Sequence, residues 1–265
     1  MIDSEQLQQL IAQALDDFYR RRIQRLADLK LRAILRRKNP YLYKAIGAFD
    51  PVDVIEEILK AYLSSSDEEI FGEAFFEPIA KAVSGGVVSP TEGVDIAIET
   101  DDRYTAIAMK SGPNPFNSSQ VKRQSDEFET LRRRLIKLRK QFDPVLGHGY
   151  GRKQSPPTPK KLYRDSSGEK FWEELTGDPD FYLKLIRYME QSVVEAHRPQ
   201  YIAEYKQVRA IHLQEFLEDF CADGLVDWEK LVRFNSGKDS IRLPRRKKQK
   251  RAVTAQEDSQ FTEGG

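Results

Sequence analysis

Between Val94 and Gly112 the chain alternates apolar and polar residues twice over. Val94, Ile96 and Ile98 fall on one side with Asp95, Ala97 and Glu99 on the other, and beyond Asp101 and Asp102 the order resumes with Ile107 and Met109 opposing Tyr104, Ala106, Ala108 and Lys110. A period of two predicts a β-hairpin. With Asp101 and Asp102 central in the turn, Thr100 pairs with Arg103 and Asp95 stands across from Ala108, leaving Lys110 diagonal to Asp95 at about 7 to 8 Å. An acid and a lysine then stand over a floor of alanines, which reads as room for something other than the protein's own side chains, such as a divalent metal with a phosphate.

Most of the remaining pattern is helical. Residues 4–37 read as one long helix or two joined ones, with Leu7, Leu10, Ile11, Ala14, Leu15 and Phe18 as an apolar stripe and Arg20, Arg21, Arg22, Arg25, Arg32, Arg36 and Arg37 on a basic face. Asn39 and Pro40 break it. A helix over 51–63 buries Val54, Ile55, Ile58 and Leu59. Ser66 with Glu69 then makes a capping box for another, which carries Ile70, Phe71, Ala74 and Phe75 inward and Glu73 and Glu77 on a second face. Pro78 kinks or restarts that helix just after Glu77. Ser84, Gly85, Gly86, Ser89 and Pro90 form a loop into the hairpin.

After the hairpin, SGPNPFNSS is a rigid polar loop in which Ser118 or Ser119 caps a helix over 120–142, with Phe128, Leu131, Leu135, Leu138 and Phe142 at steps of three and four. Residues 144–151 read as a short strand. The order helix, hairpin, helix, strand predicts a mixed sheet with helices against it. Beyond a proline- and lysine-rich loop at 152–161 the chain reads as helical over 169–175, 180–196, 199–222 and 227–234. From 238 onward it has too few apolar residues to fold.

Composition narrows the chemistry. The 265 residues fit one large domain or two modest ones. No apolar run approaches the roughly 18 residues of a membrane span, and MIDSEQLQQL lacks the basic start and apolar middle of a signal peptide, so a cytosolic location is expected. The single cysteine, Cys221, lies among Phe216, Leu217 and Phe220 in a helical pattern and reads as a packing residue. His148, His197 and His212 are far apart and read as structural. The net charge of +1 hides a segregation: fourteen acidic and two basic residues lie between Phe49 and Asp102, while 20–38, 122–140 and 242–251 are strongly basic. Acid around a metal site and base elsewhere is the distribution that a metal-dependent enzyme acting on a polyanion needs.

Phosphodiester hydrolysis needs a metal to polarise the phosphoryl oxygen and a cation near the nucleophile or the developing charge. Magnesium prefers carboxylate and phosphate oxygens. Asp95 is the candidate metal ligand and Lys110 the candidate for positioning the attacking water and steadying the transition state. An exposed salt-bridged pair is the competing reading of the same two residues.

A helix with glutamates, Gly93-Val94-Asp95, a hairpin, Lys110 at the second strand's end and a helix opening with Gln120 together resemble the PD-(D/E)XK nuclease superfamily. More narrowly, KNPYLYKA, FGEAFFE, VDIAIE, AMKSGPNPFNSSQVKRQ and GEKFWEELTGDPDFYLK look like the PmeII-like type II restriction endonucleases, in order over residues 38 to 185. The resemblance implies an α/β (α+β) core of mixed sheet and flanking helices, with a largely helical N-terminal arm and C-terminal half. It also implies a cytoplasmic, bacterial or archaeal, Mg2+-dependent homodimer that cuts both strands of double-stranded DNA at a short palindromic site, leaving 5′-phosphates. A cognate DNA methyltransferase is then expected in the same system, though not as a physical partner, and no membrane is involved. On this reading residues 1–44 are a basic helical arm, 45–165 the nuclease core, 166–236 a helical region for DNA binding or dimerisation, and 237–265 a basic disordered tail.

Two positions depart from the superfamily pattern: Ala108 stands where a second acid is usual, two residues before the lysine, and Val94 stands where a proline is usual. Glu77 and Glu73, on the preceding helix, are the substitutes; Glu99 lies about 13 Å along the strand, too far to share one ion. Ser111, Asn114, Asn117, Ser119, Gln120, Lys122 and Arg123 are the candidates for orienting phosphate or contacting DNA, although capping and turn formation explain the serines and asparagines as well. The alternative function is a DNA-binding protein that keeps the nuclease fold without its activity.

Overall fold

A computed structural model describes residues 2–88, 91–114, 116–238 and 243. The elements are α1 (Ser4–Ala27), α2 (Leu31–Leu35), α3 (Pro40–Ala45), α4 (Pro51–Phe71), a π-helical turn (Gly72–Phe76), α5 (Glu77–Val83), β1 (Val87–Val88), β2 (Ile96–Glu99), β3 (Arg103–Lys110) and α6 (Ser118–Leu135). They continue with a 3-10 turn (Ile136–Leu138), β4 (Gln141–His148), β5 (Arg164–Ser167), α7 (Gly168–Thr176), α8 (Phe181–Arg187), α9 (Gln191–Phe220), β6 (Cys221–Ala222), β7 (Leu225–Val226) and α10 (Trp228–Ser236). The expected tail lies outside the described residues apart from 237, 238 and 243, and so do Ser89 and Pro90 of the loop before the hairpin.

Residues 4–37 form two helices, the second of the two expected forms. Several other expectations need correction. Asn39 with Pro40 does not merely break the helix but starts a third, α3, because the Asn39 side chain accepts the Leu42 N–H and Pro40 opens the first turn. Ser66 caps nothing. Helix α4 runs through Ser64, Ser65 and Ser66 with Leu59, Leu63 and Ile70 buried along it, so packing overrides the local capping signal. The break at Pro78 is a change of helix gauge: the Glu77 N–H donates to the Gly72 carbonyl five residues back, which accommodates a proline that has no N–H of its own.

The hairpin has the expected register, with Glu99 opposite Tyr104 and Ile96 opposite Ile107. It sits in a five-stranded sheet of order β1-β2-β3-β4-β5, antiparallel through β3 and parallel from β3 to β5. One face of the sheet packs Ile96, Ile107, Met109 and Val145 against Leu7, Ile11 and Leu15 of α1, Phe75 of the π turn, Ile79 of α5 and Phe171 and Trp172 of α7. The other face joins Ala106, Ala108 and Leu146 to Phe128 and Leu131 of α6. The alanine floor is therefore not an open cavity; small side chains let α6 lie close, and Ala106 and Ala108 are buried beneath it. Val94 joins this alanine cluster rather than the side of Ile96, because its N–H closes a turn on Thr91 before the strand begins.

Helix α6 ends seven residues earlier than its apolar spacing suggests, since Arg139 turns left-handed at φ 55° and Phe142 already belongs to β4. The stretch after 161 is not wholly helical either. Strand β5 has the sequence RDSS, and its Asp165, Ser166 and Ser167 are all buried. Polarity hides it from a reading based on hydrophobic alternation. Its central carboxylate is satisfied from several sides: His148 Nε2 lies 2.9 Å from Asp165, and the Ser155 hydroxyl and the Lys161 ammonium both donate to it. Burial opposes ionisation, yet these donors hold the Asp165 carboxyl well below the usual carboxylate range.

The described residues divide into two compact units, one within 2–22 and 61–202 and the other within 23–60 and 203–238. The second buries Leu31, Ile34, Leu35, Phe216 and Phe220 and carries a bidentate pair between Arg32 and Asp219 at 2.7 and 2.9 Å. Cys221 lies here, half-buried on the short β6, with burial pushing its thiol up to about 11. That suits packing and not nucleophilic chemistry.

Asp165→Ala should cost about 3 to 5 kcal/mol of unfolding free energy in denaturant titrations at neutral pH, because it leaves the Lys161 ammonium and the buried His148 ring without their shared partner. The sign with pH follows from a lowered folded-state pKa: the wild-type contribution is complete above about pH 4 and fades as pH falls further, whereas the variant's stability should be flatter over that acid range.

Candidate active site

Asp95 just before β2, Lys110 at the end of β3 and Tyr150 just past β4 come to one end of the sheet. They line a cavity of about 940 Å3 together with Glu68 of α4, Gly72 and Glu73 of the π turn, and Glu77 of α5. The helix reaches this close because position 72 is glycine: a Cβ there would lie 3.0 Å from the Ser111 Cβ.

Asp95 is held by backbone on both sides. Its N–H donates to the Ile107 carbonyl at 2.8 Å, and its Oδ2 accepts the Met109 N–H at 2.7 Å. Burial pushes its carboxyl above the ordinary range; the Met109 N–H opposes that, the negative charge of Glu77 adds to it, and the positive charges of Lys110 and Lys81 oppose it. Lys110 is not salt-bridged to Asp95, nor to any other described carboxylate within 4.0 Å. Its Nζ lies 5.9 Å from the centre of the Phe116 ring. Glu77 is instead paired with Lys81 at 2.5 Å, and Glu73 with Arg21 at 3.3 Å.

Among the described residues no group of three or more His, Cys, Asp or Glu side chains is close enough to hold a metal by itself. The donor chemistry still fits magnesium, which keeps several waters and uses one or two carboxylates with substrate phosphate. The negative charge of Glu77 raises the cost of ionising Asp95 across the cavity, and a divalent cation would remove that cost. Glu73 lines the same cavity but sits more in solvent, its side chain 59% exposed against 24% for Glu77.

The remaining candidates separate. Ser111, Asn114 and Gln120 line the acid cavity. Asn117 caps α6: its side chain accepts the Ser119 and Gln120 N–H groups, while the Gln120 side chain accepts the Asn117 N–H. The cap is thus Asn117 and not Ser118 or Ser119. Ser119, Lys122 and Arg123 line a different depression, where Arg123 is paired with Glu92 at 2.8 Å and Glu127 at 2.9 Å. Glu68, Gly72, Phe116, Lys81 and Tyr150 belong to the site and were not singled out in the sequence. The residue spacing of their contacts gives no local signal: Glu68 meets Ser111 and Tyr150 across 43 and 82 positions.

A family model described as Type II restriction endonuclease EcoO109I matches residues 5–197, well over half of the chain. No curated protein matches it.

Two measurements test this geometry. Restoring the usual acid through Ala108→Glu should destabilise the fold by about 3 kcal/mol or more and not raise activity, since residue 108 is buried in the cluster of Phe128 and Leu131; unchanged melting would show that the position opens to the cavity. In carbon-detected NMR titrations Asp95 should titrate above the ordinary aspartate range, and Glu77→Gln should move it down by removing a like charge.

Proposed function

As the chain belongs to the type II restriction endonuclease EcoO109I family and is therefore a DNA-cleaving hydrolase, we propose that it cuts at the cavity of Asp95, Glu77 and Lys110. The observation that supports this is an ammonium left without a carboxylate partner beside a half-buried carboxylate whose pKa is raised. In a purely structural ion pair the two would neutralise each other; here each is left to act on something else.

Asp95 and Glu77 are the residues that would hold Mg2+, Glu77 being the one that is otherwise paired with Lys81. When bound, the ion supplies polarisation of the scissile phosphoryl oxygen and charge for the transition state. Lys110 sits on the adjacent strand end, where it orients the attacking water and balances the charge that grows on the phosphate. Water adds to phosphorus, the bond to the 3′-oxygen breaks, and the products are a 3′-hydroxyl and a 5′-phosphate. Ser111, Asn114 and Gln120 line the approach and hold the DNA backbone in register, while Lys122 and Arg123 contact phosphates farther along. Asp95 stays fixed through this sequence because Met109 and Ile107 bind it through backbone.

The substrate in this reading is duplex DNA at a short palindromic site cut in both strands. A two-fold site is matched by a two-fold protein, hence a homodimer. The KSGPN and SSQ segments support a PmeII-like specificity within the family. Among the described residues no helix is long and apolar enough to cross a membrane, and the proposed setting is the cytoplasm, beside a methyltransferase that protects host DNA without binding the nuclease.

Plasmid digestion with Mg2+ followed by sequencing of the ends tests the whole reading, giving activity, site and stagger together. Asp95→Asn and Lys110→Ala should each lower cleavage by at least about 100-fold with the fold intact by circular dichroism. Glu77→Gln should do the same and Glu73→Gln should cost much less. Near-normal cutting by either of the first two would remove this site from consideration, and the opposite order for the glutamates would move the second ligand to Glu73.

A further inference from the structure

Glu68, another acid in the cavity, has no ion-pair partner among the described residues and lies outside the proposed metal pair. Glu68 Oε1 accepts two hydroxyl hydrogen bonds, from Ser111 Oγ at 2.7 Å and from Tyr150 at 2.9 Å. Ser111 directly follows Lys110, and Tyr150 lies two residues past β4. The backbone already ties these two segments: the Gly149 N–H donates to the Lys110 carbonyl at 3.0 Å and the Tyr150 N–H to the Ser111 carbonyl at 3.3 Å, continuing the β3–β4 pairing beyond the strands. Glu68 adds the helix to that pair. It stands four residues before Gly72, on the helix that continues through the π turn to Glu77.

We propose that Glu68 is a positioning residue, a latch that fastens the helix bearing Glu77 to the strand end bearing Lys110, and that it acts through its capacity to accept two hydrogen bonds and not through its charge. The proposal rests on the reading of Asp95, Glu77 and Lys110 as the cleavage centre. Without the latch, the two halves of that centre meet only through packing and the close approach at Gly72, and displacement of a reacting group by about 1 Å costs on the order of 100-fold in rate. Burial, together with the hydrogen bond and the negative charge of Glu68, raises the Tyr150 pKa, so the phenol keeps the proton that it donates.

The chemistry separates a latch from a ligand. A glutamine amide oxygen accepts from both hydroxyls as a carboxylate does, whereas alanine accepts from neither and glutamine is a poor magnesium ligand. Full-length Glu68→Gln should retain kcat within about twofold of wild type, and Glu68→Ala should lose roughly tenfold to 100-fold in kcat with little change in KM for DNA. Tyr150→Phe should move kcat part of the way towards Glu68→Ala, and adding it to Glu68→Ala should cost little more. Mn2+ affinity, read by the electron paramagnetic resonance of the free ion, should fall in Glu68→Ala and hold in Glu68→Gln.

Equal damage from glutamine and alanine would overturn the latch and make Glu68 a charge-bearing group at the metal. So would a Glu68→Ala variant with unchanged kcat and Mn2+ affinity. Amide hydrogen exchange at Gly149 and Tyr150 needs no catalysis and should speed up in Glu68→Ala alone. If wild type neither cuts DNA nor takes up Mn2+, the reading of the cleavage centre fails, and the latch is then decided by that exchange: faster in alanine alone supports it, equal rates in all three proteins overturn it.

Discussion

Strand β3 has neighbours on four sides. β2 and β4 take its backbone, α6 covers its alanine face, and the π turn, α5 and α7 cover the face of Ile107 and Met109. Ladder hydrogen bonds and close packing of both side-chain faces bury the strand from Ala106 to Met109 and leave no place for water or substrate there. The strand emerges at its two ends, and Lys110 is the residue at the end that reaches the acid cavity. Asp95, at the facing end of the antiparallel neighbour, and Tyr150, at the end of the parallel neighbour, reach the same rim for the same reason. The position of the cavity is thus a consequence of how thoroughly the strand is enclosed.

That enclosure also explains why a usual acid position holds alanine. The side chain of residue 108 points to α6, and a carboxylate there would have to be desolvated against Phe128 and Leu131. The second acid in the cavity comes instead from a helix, where about a quarter of the Glu77 side chain stays in contact with solvent and Lys81 neutralises it. The price is that the two acids belong to elements joined only through tertiary contacts, so their separation is set by packing and by side-chain hydrogen bonds and not by a single strand's geometry.

The hairpin was legible in the sequence down to its register, because strict alternation and a two-residue turn define both ends of the pairing. Strand β5 was not, since a buried strand made of Arg164, Asp165, Ser166 and Ser167 has the composition of a loop and is stabilised by partners at His148, Ser155 and Lys161 that no local window contains. Phe142 shows the opposite failure: it stands four residues after Leu138 and so mimics a helical stripe, while the left-handed Arg139 has already turned the chain into β4. In the site, Asp95, Lys110 and Glu77 were readable from residue type and order. Glu68 and Tyr150 were not, because what distinguishes them is a shared hydroxyl network between distant segments.

The π turn at Gly72–Phe76 places one extra residue in a helix without opening a loop. Each added residue rotates whatever follows by about 100° about the helix axis, so the face on which Glu77 emerges is decided by the gauge of the five residues before it. An acid can therefore be supplied to a cavity without any change at the positions that line the strand. It needs only a carboxylate somewhere on the helix and a local change of winding to aim it. In that sense the second acid's address is a count of residues, which makes the helix a place where insertion and deletion, more than substitution, can rewrite which side chains face the cavity.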